Sequence, residues 1–374
     1  MRTELCDRLG IDVPIFAFSH CRDVVAAVSR AGGLGVLGAV AMTPEELATD
    51  LRCLDDDVDG VRGKPYGVDT VIPAKTLAHG SGVTKTDLEA MITPAHQKFV
   101  EELLSRHGVP PLPDNIASVE SLLGWTMSAG LKHVDVALDH PIKLIANALG
   151  PPPPELIERA HAQGVVVAAL CGSVRQALKQ KAAGVDIIIA SGYEAGGHTG
   201  EISTLVLVPQ VVDAVGSLPV LAAGGIGDGR QIAAALALGA QGVWLGSLWL
   251  TTWESDLKVR LVDKLLTATS SDTVRSRCLS GKPARQLVTE YTKAWDDPKG
   301  PGTLPMPLQY MATAEATQRI YRHAESGGGV DLLGTPVGQV VGQMNDRQHV
   351  HQVIERLIND YLDAVDRLGS TLPT

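Results

Sequence analysis

Short apolar segments recur along the 374-residue chain, and residues with helical spacing follow most of them. The segments are nearly unbroken rather than alternating between apolar and polar positions. This pattern is typical of strands that are buried on both faces of a parallel sheet. We predict eight such strands, at residues 13–18, 34–40, 66–72, 133–138, 165–170, 185–190, 218–223 and 242–246.

Helix signals lie between the predicted strands. Thr43 is a candidate N-cap, with Pro44 at the first helical position and Glu46 three residues after the cap, which is a capping-box pattern. Strand–helix units in succession predict a closed (β/α)8 barrel, the TIM barrel. A doubly wound open sheet is the alternative, and the lack of a GxGxxG motif after the first strand argues against it.

Two regions interrupt the alternation of strands and helices. Residues 74–131 separate predicted strands three and four, and since they follow the carboxyl end of a strand, we expect a lid or substrate wall on the active face. Residues 254–347 contain helical pieces and Gly/Pro-rich stretches and are predicted to form a subdomain over that face. Residues 1–253 would then be the barrel, and residues 348–374 its closing C-terminal helix.

Composition narrows the class of protein. Apolar residues make up 45% of the chain but aromatic residues only 4%, so the core must be mainly aliphatic. The net charge of −10 argues against nucleic acid as a partner. No apolar run reaches the roughly 18 residues of a membrane span. The five scattered cysteines form no CxxC pair or Cys/His cluster. We therefore expect a cytoplasmic protein with reduced thiols and no metal site.

Two glycine-rich strand ends predict a phosphate site. Predicted strand seven runs into Gly224, Gly225 and Gly227, and predicted strand eight ends at Gly246 and Ser247. In barrels the loops after these two strands commonly bind phosphate through backbone N–H groups, and glycine permits close approach. Tight turns without a ligand are the alternative interpretation.

The segment "GYEAGGHTG", residues 192–200, follows predicted strand six and should face the same end of the barrel. Gly196 and Gly197 would let a flat ligand lie against the backbone. His198 is a candidate acid or base because imidazole titrates near neutral pH. Alternatively, His198 caps a turn or satisfies a buried carbonyl. Glu194 either orients this loop or faces solvent.

Several of these segments together resemble the nitronate monooxygenase family, formerly called 2-nitropropane dioxygenases. They are "VPIFAF…SRAGGLGVLGA", "GYEAGGHTG", "AAGGIGDGRQIAAALALGAQGVWLGS" and "SGKPAR". That family shares its fold and motifs with flavin-dependent enoyl-acyl-carrier-protein reductases and NADH:quinone reductases. The resemblance covers residues from about 5 to 290 and is specific for the superfamily rather than for one reaction.

The resemblance implies one FMN per barrel, with NADH or NADPH as a further candidate reductant. The phosphate of FMN would lie on the two glycine-rich loops, and the isoalloxazine ring of FMN would lie over the end of predicted strand one. His198 matches the active-site histidine of the family. The implied cofactor contacts are Ala17, Phe18, Ser19, Asp69, Gly196, Gly197, Gly224, Gly225, Gly227, Gly246 and Ser247.

Some residues depart from the family pattern. Asp69 stands where relatives often have asparagine, and an ionised carboxylate there would oppose negative charge on a reduced flavin. It should therefore be paired, with Lys75 or Lys143, or turned away. Polar residues also stand at two predicted strand ends, which indicates either a polar substrate pocket or, after predicted strand four, helix caps. The candidate substrate contacts are His20, Lys75, Asp139 and His140. Lys282 and Arg285 either bind an anionic substrate tail or are solvated or packed.

We therefore expect an FMN-dependent oxidoreductase that oxidises alkyl nitronates with O2. The main alternative is an NAD(P)H-dependent flavin reductase acting on a quinone or on an enoyl-thioester or acyl-CoA substrate. A flavin-free lyase or isomerase that binds a sugar phosphate, and a non-catalytic flavin-binding protein, are more distant alternatives. The sequence leaves a homodimer open.

Overall fold

Eight parallel strands close into a barrel in the computed structural model, in the order β1-β2-β3-β4-β5-β6-β8-β9. The structure describes residues 1–73, 84–118 and 127–371. β1 pairs with both β2 and β9, which closes the ring. The barrel strands are β1 (Ile15–Ser19), β2 (Leu34–Gly38), β3 (Tyr66–Val71), β4 (Leu144–Ala148), β5 (Val166–Cys171), β6 (Ile187–Ser191), β8 (Val220–Ala223) and β9 (Gly242–Leu245).

A small antiparallel sheet lies outside the barrel, in the order β10-β11-β7. Its strands are β7 (Gly197–His198), β10 (Thr273–Ser276) and β11 (Ala284–Leu287). The sheet joins the loop after β6 to the C-terminal part of the chain, because β11 pairs with β7.

Helices cover the barrel and extend it. They are α1 (Glu4–Leu9), α2 (Arg22–Arg30), α3 (Pro44–Asp55), α4 (Lys85–Ala90), α5 (Pro94–Arg106), α6 (Met127–Leu138), α7 (Pro154–Ala162), α8 (Val174–Ala183), α9 (Thr204–Val215), α10 (Gly229–Ala237), α11 (Val259–Thr267), α12 (Glu290–Asp296), α13 (Leu308–Glu325) and α14 (Val350–Gly369). The capping box predicted at the start of α3 is present, with Thr43 and Glu46 bonded reciprocally.

The predicted TIM barrel is confirmed, but its fourth strand was placed wrongly. Residues 133–138 belong to α6, and β4 begins at Leu144. The buried positions of α6 are Gly130, His133, Val134, Ala137 and Leu138, which is helical spacing. The last residues of α6 also alternate between polar and apolar, which is a strand pattern. The true strand β4 contains the polar Asn147, which interrupts its apolar run.

The predicted insertion divides into two parts. Residues 84–118 form α4, α5 and a following loop, whereas α6 packs against α3 in the helix layer of the barrel. α5 is joined to α13 by the buried Arg319, which donates hydrogen bonds to Glu101 and to the carbonyl of Pro110. The insertion and the C-terminal region therefore pack on each other. The role of the insertion as a lid stays a prediction.

The C-terminal helix α14 packs against α2 and α10, the helices that follow β1 and β8. Its buried face consists of Val350, Val353, Ile354, Leu357 and Ala364. It thus fills the place between the first and last strand–helix units of the ring.

Side chains alternate between the barrel interior and the helix layer, as expected for strands buried on both faces. Phe16, Leu34, Leu144 and Trp244 belong to the inner cluster, whereas Val68 belongs to the outer one. The core is mainly aliphatic, as the composition predicted.

Asp69 is a buried carboxyl near the carboxyl end of β3. Its backbone pairs with Gly38 on β2 and Ala146 on β4, and the residue is only 5% exposed. No described cation forms an ion pair with it, and burial raises its pKa to about 7. Lys143 precedes β4 at the opposite end of the strands, and Lys75 lies outside the described residues. Desolvation thus favours the neutral form of Asp69.

We expect Asp69→Asn to alter the pH dependence of stability. Because the native carboxyl has a raised pKa, the native state holds more protons than the unfolded state between about pH 4 and pH 7, and stability falls as pH rises through that window. At pH 8 the variant should be more stable than the wild type, by up to roughly 4 kcal/mol, with a smaller gain at pH 5. Urea unfolding at the two pH values measures the difference.

Asp56→Asn is the matched control, because backbone N–H groups of Asp59 and Val58 lower the pKa of this exposed carboxyl. That variant should gain no stability as pH rises. The stability gained by Asp69→Asn over wild type should be larger at pH 8 than at pH 5. An equal gain at the two pH values would contradict the raised pKa of Asp69.

Candidate active site at the carboxyl-end mouth

The carboxyl ends of the barrel strands form one rim, which we call the mouth. Three loops with the predicted chemistry meet there: residues 192–203 after β6, residues 224–228 after β8 and residues 246–249 after β9. They meet because the strands are parallel and β6, β8 and β9 are neighbours in the ring.

The two glycine-rich loops present backbone N–H groups that have no partner within the described chain. Gly224 and Gly225 adopt positive φ values of 98° and 71°, which glycine tolerates without strain. The loop after β9 turns into a short 3-10 helix, Ser247–Trp249. The N–H groups that donate to no described residue are those of Gly224, Gly225, Ile226, Gly246, Ser247 and Leu248.

The C-terminal segment 337–343 packs directly on these loops. The N–H of Gly338 donates to Ser247 Oγ at 2.8 Å, and the N–H of Gln339 donates to the carbonyl of Glu194 at 2.9 Å. A Cβ on Gly196 would lie 2.7 Å from Gly338 N, and one on Gly227 would collide with Val340. Because these two glycines have no side chain, segment 337–343 can pack against their backbone.

Gly197 differs from Gly196 in its surroundings. Its φ is 73°, and a Cβ placed on it would meet no described atom within 4 Å. Gly197 therefore borders no described side chain on the side where its Cβ would lie.

His198 is held on β7 by the small sheet. Its Cα pairs with Ala284 on β11, and its Nε2 lies 2.7 Å from the hydroxyl of the fully buried Ser280. Burial, reinforced by the charge of Lys282, lowers the pKa of His198 to about 4. The imidazole is therefore neutral at physiological pH and can accept a proton or a hydrogen bond.

Glu194 orients the loop rather than the imidazole. Its carboxylate accepts hydrogen bonds from the backbone N–H and the hydroxyl of Thr204, both at 2.9 Å, at the start of α9. The same hydroxyl also reaches the carbonyl of Gly224 at 2.9 Å. The loops after β6 and β8 are thereby tied to each other.

The end of β1 forms part of the floor of the mouth. Phe18 stacks on Trp244 with ring centroids 6.2 Å apart and lies close to Gly246. Ala17 is buried among the outer core, and Ser19 Oγ accepts the N–H of Cys21. His20 is exposed, with Nδ1 2.9 Å from the carbonyl of Gly38. Of these four side chains, Phe18 and His20 are placed to meet a ligand.

Two predicted substrate residues lie at the opposite end of the barrel. Asp139 and His140 follow α6 and precede β4, so they stand at the amino ends of the strands. His140 Nδ1 lies 2.6 Å from the carboxylate of Asp55, which also accepts the hydroxyl of Tyr66 at 2.6 Å. Asp139 and His140 were predicted at the mouth because the fourth strand was placed wrongly. They are not part of the candidate site. Lys75 falls outside the described residues.

Sequence reasoning missed three residues at the mouth. Asn147 on β4 is fully buried and accepts the N–H of Ile72 at 2.9 Å. Leu149, which follows β4, has φ of 68°, an unusual conformation for a bulky residue. The misplaced strand hid both of them. Ser280 lies in the "SGKPAR" segment that carried the resemblance, but its contact with His198 spans 82 residues.

A cavity of about 390 Å³ borders the loop after β8 from the helix side. Leu205 and Val208 of α9 and Ala235 and Leu238, in and after α10, supply apolar walls, and Gln231 is among its polar groups. It adjoins the mouth, since Glu194 of the loop after β6 and Gly224, Gly225 and Ile226 of the loop after β8 also line it.

Two further classes of site are not found in the part of the chain that the structure describes. Within residues 1–73, 84–118 and 127–371, no three His, Cys, Asp or Glu side chains converge as metal ligands would. Across the same ranges, no helix is both long and apolar enough to cross a membrane.

The chain is similar to known proteins over nearly its whole length. The family model described as "Nitronate monooxygenase" matches residues 16–360. A Mycobacterium tuberculosis protein named as a monooxygenase is 49% identical, with 98% of both chains covered. A Staphylococcus haemolyticus protein named as a nitronate monooxygenase is 29% identical, with 95% of this chain and 96% of the relative covered.

Solved structures agree with this similarity. Nitroalkane oxidase from Streptomyces ansochromogenes superposes with a TM-score of 0.78 at 26% identity, covering 97% of this chain and 99% of the other. FabK from Thermotoga maritima superposes with a TM-score of 0.74 at 28% identity, covering 100% of both chains. With the barrel, the glycine-rich mouth and His198 in place, the chain belongs to the nitronate monooxygenase family of flavin-dependent oxidoreductases.

Proposed function

We propose that the protein is an FMN-dependent monooxygenase that oxidises alkyl nitronates with O2. The observation that carries this proposal is the juxtaposition, at one mouth, of a partly buried, neutral His198 and two loops whose backbone N–H groups have no described partner. The first feature suits a phosphate, and the second suits proton transfer beside a bound ring.

The donor set fits the phosphate of FMN. N–H groups without a described partner follow both β8 and β9, and Gly224 and Gly225 are only partly buried. A phosphomonoester offers several acceptor oxygens and a charge of about −2, which such a nest of N–H groups stabilises. The Ser247 hydroxyl accepts from the N–H of Gly338 and donates to no described group, so its hydrogen is available to the same phosphate.

The flat part of the cofactor would lie over Phe18 and beside Gly197. Phe18 presents a ring already stacked on Trp244, and no described atom lies within 4 Å of a Cβ placed on Gly197, the neighbour of His198. When bound, FMN supplies the electron acceptor for the substrate and reacts with O2 after reduction.

The neutral imidazole of His198 would be the form that acts on the substrate. With its pKa lowered to about 4, its imidazole can accept a proton from a nitroalkane carbon or a hydrogen bond from a protonated substrate. The contact between Ser280 Oγ and His198 Nε2 fixes the orientation of the ring. We assign proton acceptance to His198 and orientation to Ser280.

A second candidate is an NAD(P)H-dependent flavin reductase for a quinone or an enoyl thioester. The superposition with FabK at a TM-score of 0.74 favours it over the remaining alternatives. The flavin-free lyase or isomerase loses its basis, because the family carries out flavin chemistry.

Anaerobic reduction of the bound flavin separates the two candidates. We expect an alkyl nitronate to bleach the visible absorbance of the oxidised holoenzyme, whereas NADH and NADPH should bleach it slowly or not at all. Stopped-flow spectrophotometry measures both rates, and mass spectrometry of the released cofactor should give FMN. Rapid bleaching by a nicotinamide and none by nitronates would contradict the proposal in favour of the reductase.

His198→Ala should retain FMN and fold but lose turnover of a neutral nitroalkane by roughly 10²- to 10⁴-fold, because the acceptor of the substrate's α-carbon proton is removed. The comparison is kcat/KM with a neutral nitroalkane and with its nitronate, and the loss should be larger for the neutral form. His161→Ala is the control, since that imidazole is bound to Asp186 on the barrel surface. Unchanged turnover in His198→Ala with both substrates would remove His198 from the mechanism.

A further inference from the structure

The turn that precedes β11 is fixed against His198. Ser280 Oγ lies 2.7 Å from His198 Nε2 and also accepts the backbone N–H of Lys282 at 3.3 Å. Gly281, at φ of 82°, leaves no room for a Cβ, because one would collide with the carbonyl of Leu304. Arg277 donates a hydrogen bond to the carbonyl of Gly281 at 3.0 Å. The backbone of Lys282 is therefore held one hydroxyl group away from the imidazole.

Lys282 is a half-buried cation without a carboxylate partner in the described part of the chain. No described acid lies within ion-pair distance of it, and its ammonium makes no hydrogen bond to a described group. Lys264, the other half-buried lysine whose pKa burial lowers, instead donates to the carbonyls of Val330 and Leu333. Lys282 thus retains its donors for another partner.

The charge of Lys282 reaches His198. It contributes to the lowered pKa of the imidazole, after burial itself. Arg285 and Arg275 belong to the same sheet but stack on the ring of Tyr193, at 4.5 and 5.0 Å from its centroid. Arg285 pairs with Gly197 and not with His198, so its side chain projects from the other face of the sheet. Lys282 is therefore the cation of this sheet region that acts on His198.

We propose that Lys282 binds the anionic group of the substrate beside His198. Half-burying an ammonium without a partner costs free energy, and an anion at this place would offset that cost. Under the proposed function, on which this inference rests for the identity of the substrate, that group is the pair of nitronate oxygens. Lys282 would then favour the ionised nitronate over the neutral nitroalkane.

Nitrate is a suitable probe, because it is a planar monoanion with oxygens spaced like those of a nitronate. Nitrate titrations of the oxidised holoenzyme, followed by the flavin absorbance and by calorimetry, should give a Kd that rises roughly 10- to 100-fold in Lys282→Met. Lys282→Arg, which keeps the charge, should stay within about threefold of wild type. Lys98→Met, on the exposed surface of α5, should leave the Kd unchanged.

A second measurement separates anion binding from a merely structural role. NMR titration of the His198 imidazole should give a higher pKa in Lys282→Met than in wild type, and no such rise in Lys282→Arg. In steady state, Lys282→Met should raise KM for the nitronate more than it lowers kcat, with a smaller change for the neutral nitroalkane.

The outcomes distinguish this inference from the proposed function. If nitrate binding weakens in Lys282→Met while nitronates fail to reduce the wild-type flavin, Lys282 is an anion site and the proposed reaction is wrong. If nitronates reduce the flavin and Lys282→Met leaves both the nitrate Kd and the nitronate KM unchanged, the inference about Lys282 is overturned and the reaction stands. Absence of nitrate binding to the wild type also overturns the inference.

Discussion

Closure of eight parallel strands into one ring is the constraint on which the site depends. Parallel strands place all their carboxyl ends on the same rim, so loops far apart in sequence meet there. The loops after β6, β8 and β9 bring His198, Gly224 and Ser247 to one mouth. In the loops after β8 and β9, the N–H groups of residues 224–226 and 246–248 donate to no described residue, and this makes the rim suited to an anion.

The C-terminal region supplies the remaining contacts of the mouth. Segment 337–343 is bonded to Ser247 and to the carbonyl of Glu194, and β11 fixes β7 and with it His198. A side chain on Gly196 would collide with that segment, whereas one on Gly197 would meet no described atom within 4 Å. The same region supplies Ser280 and Lys282, so the chemistry beside the imidazole comes from residues that no barrel strand carries.

The sequence predicted the barrel, the paired glycine-rich loops and the place of His198, because each is encoded by a local pattern of apolar runs and glycines. It misplaced β4, since α6 ends in residues that alternate like a strand and Asn147 breaks the run of the true one. Asp139 and His140 were therefore assigned to the wrong end of the barrel. The contact of Ser280 with His198 spans 82 residues, and no local pattern encodes it.

Amide hydrogen exchange at the two loops tests the central claim, that backbone N–H groups of the mouth hold the phosphate of FMN. Addition of FMN to the cofactor-free protein should slow exchange at residues 224–226 and 246–248, where the N–H groups have no described partner. Riboflavin, which lacks the phosphate, should leave those amides exchanging at their free rate. Equal exchange at both loops with and without bound FMN would contradict the account.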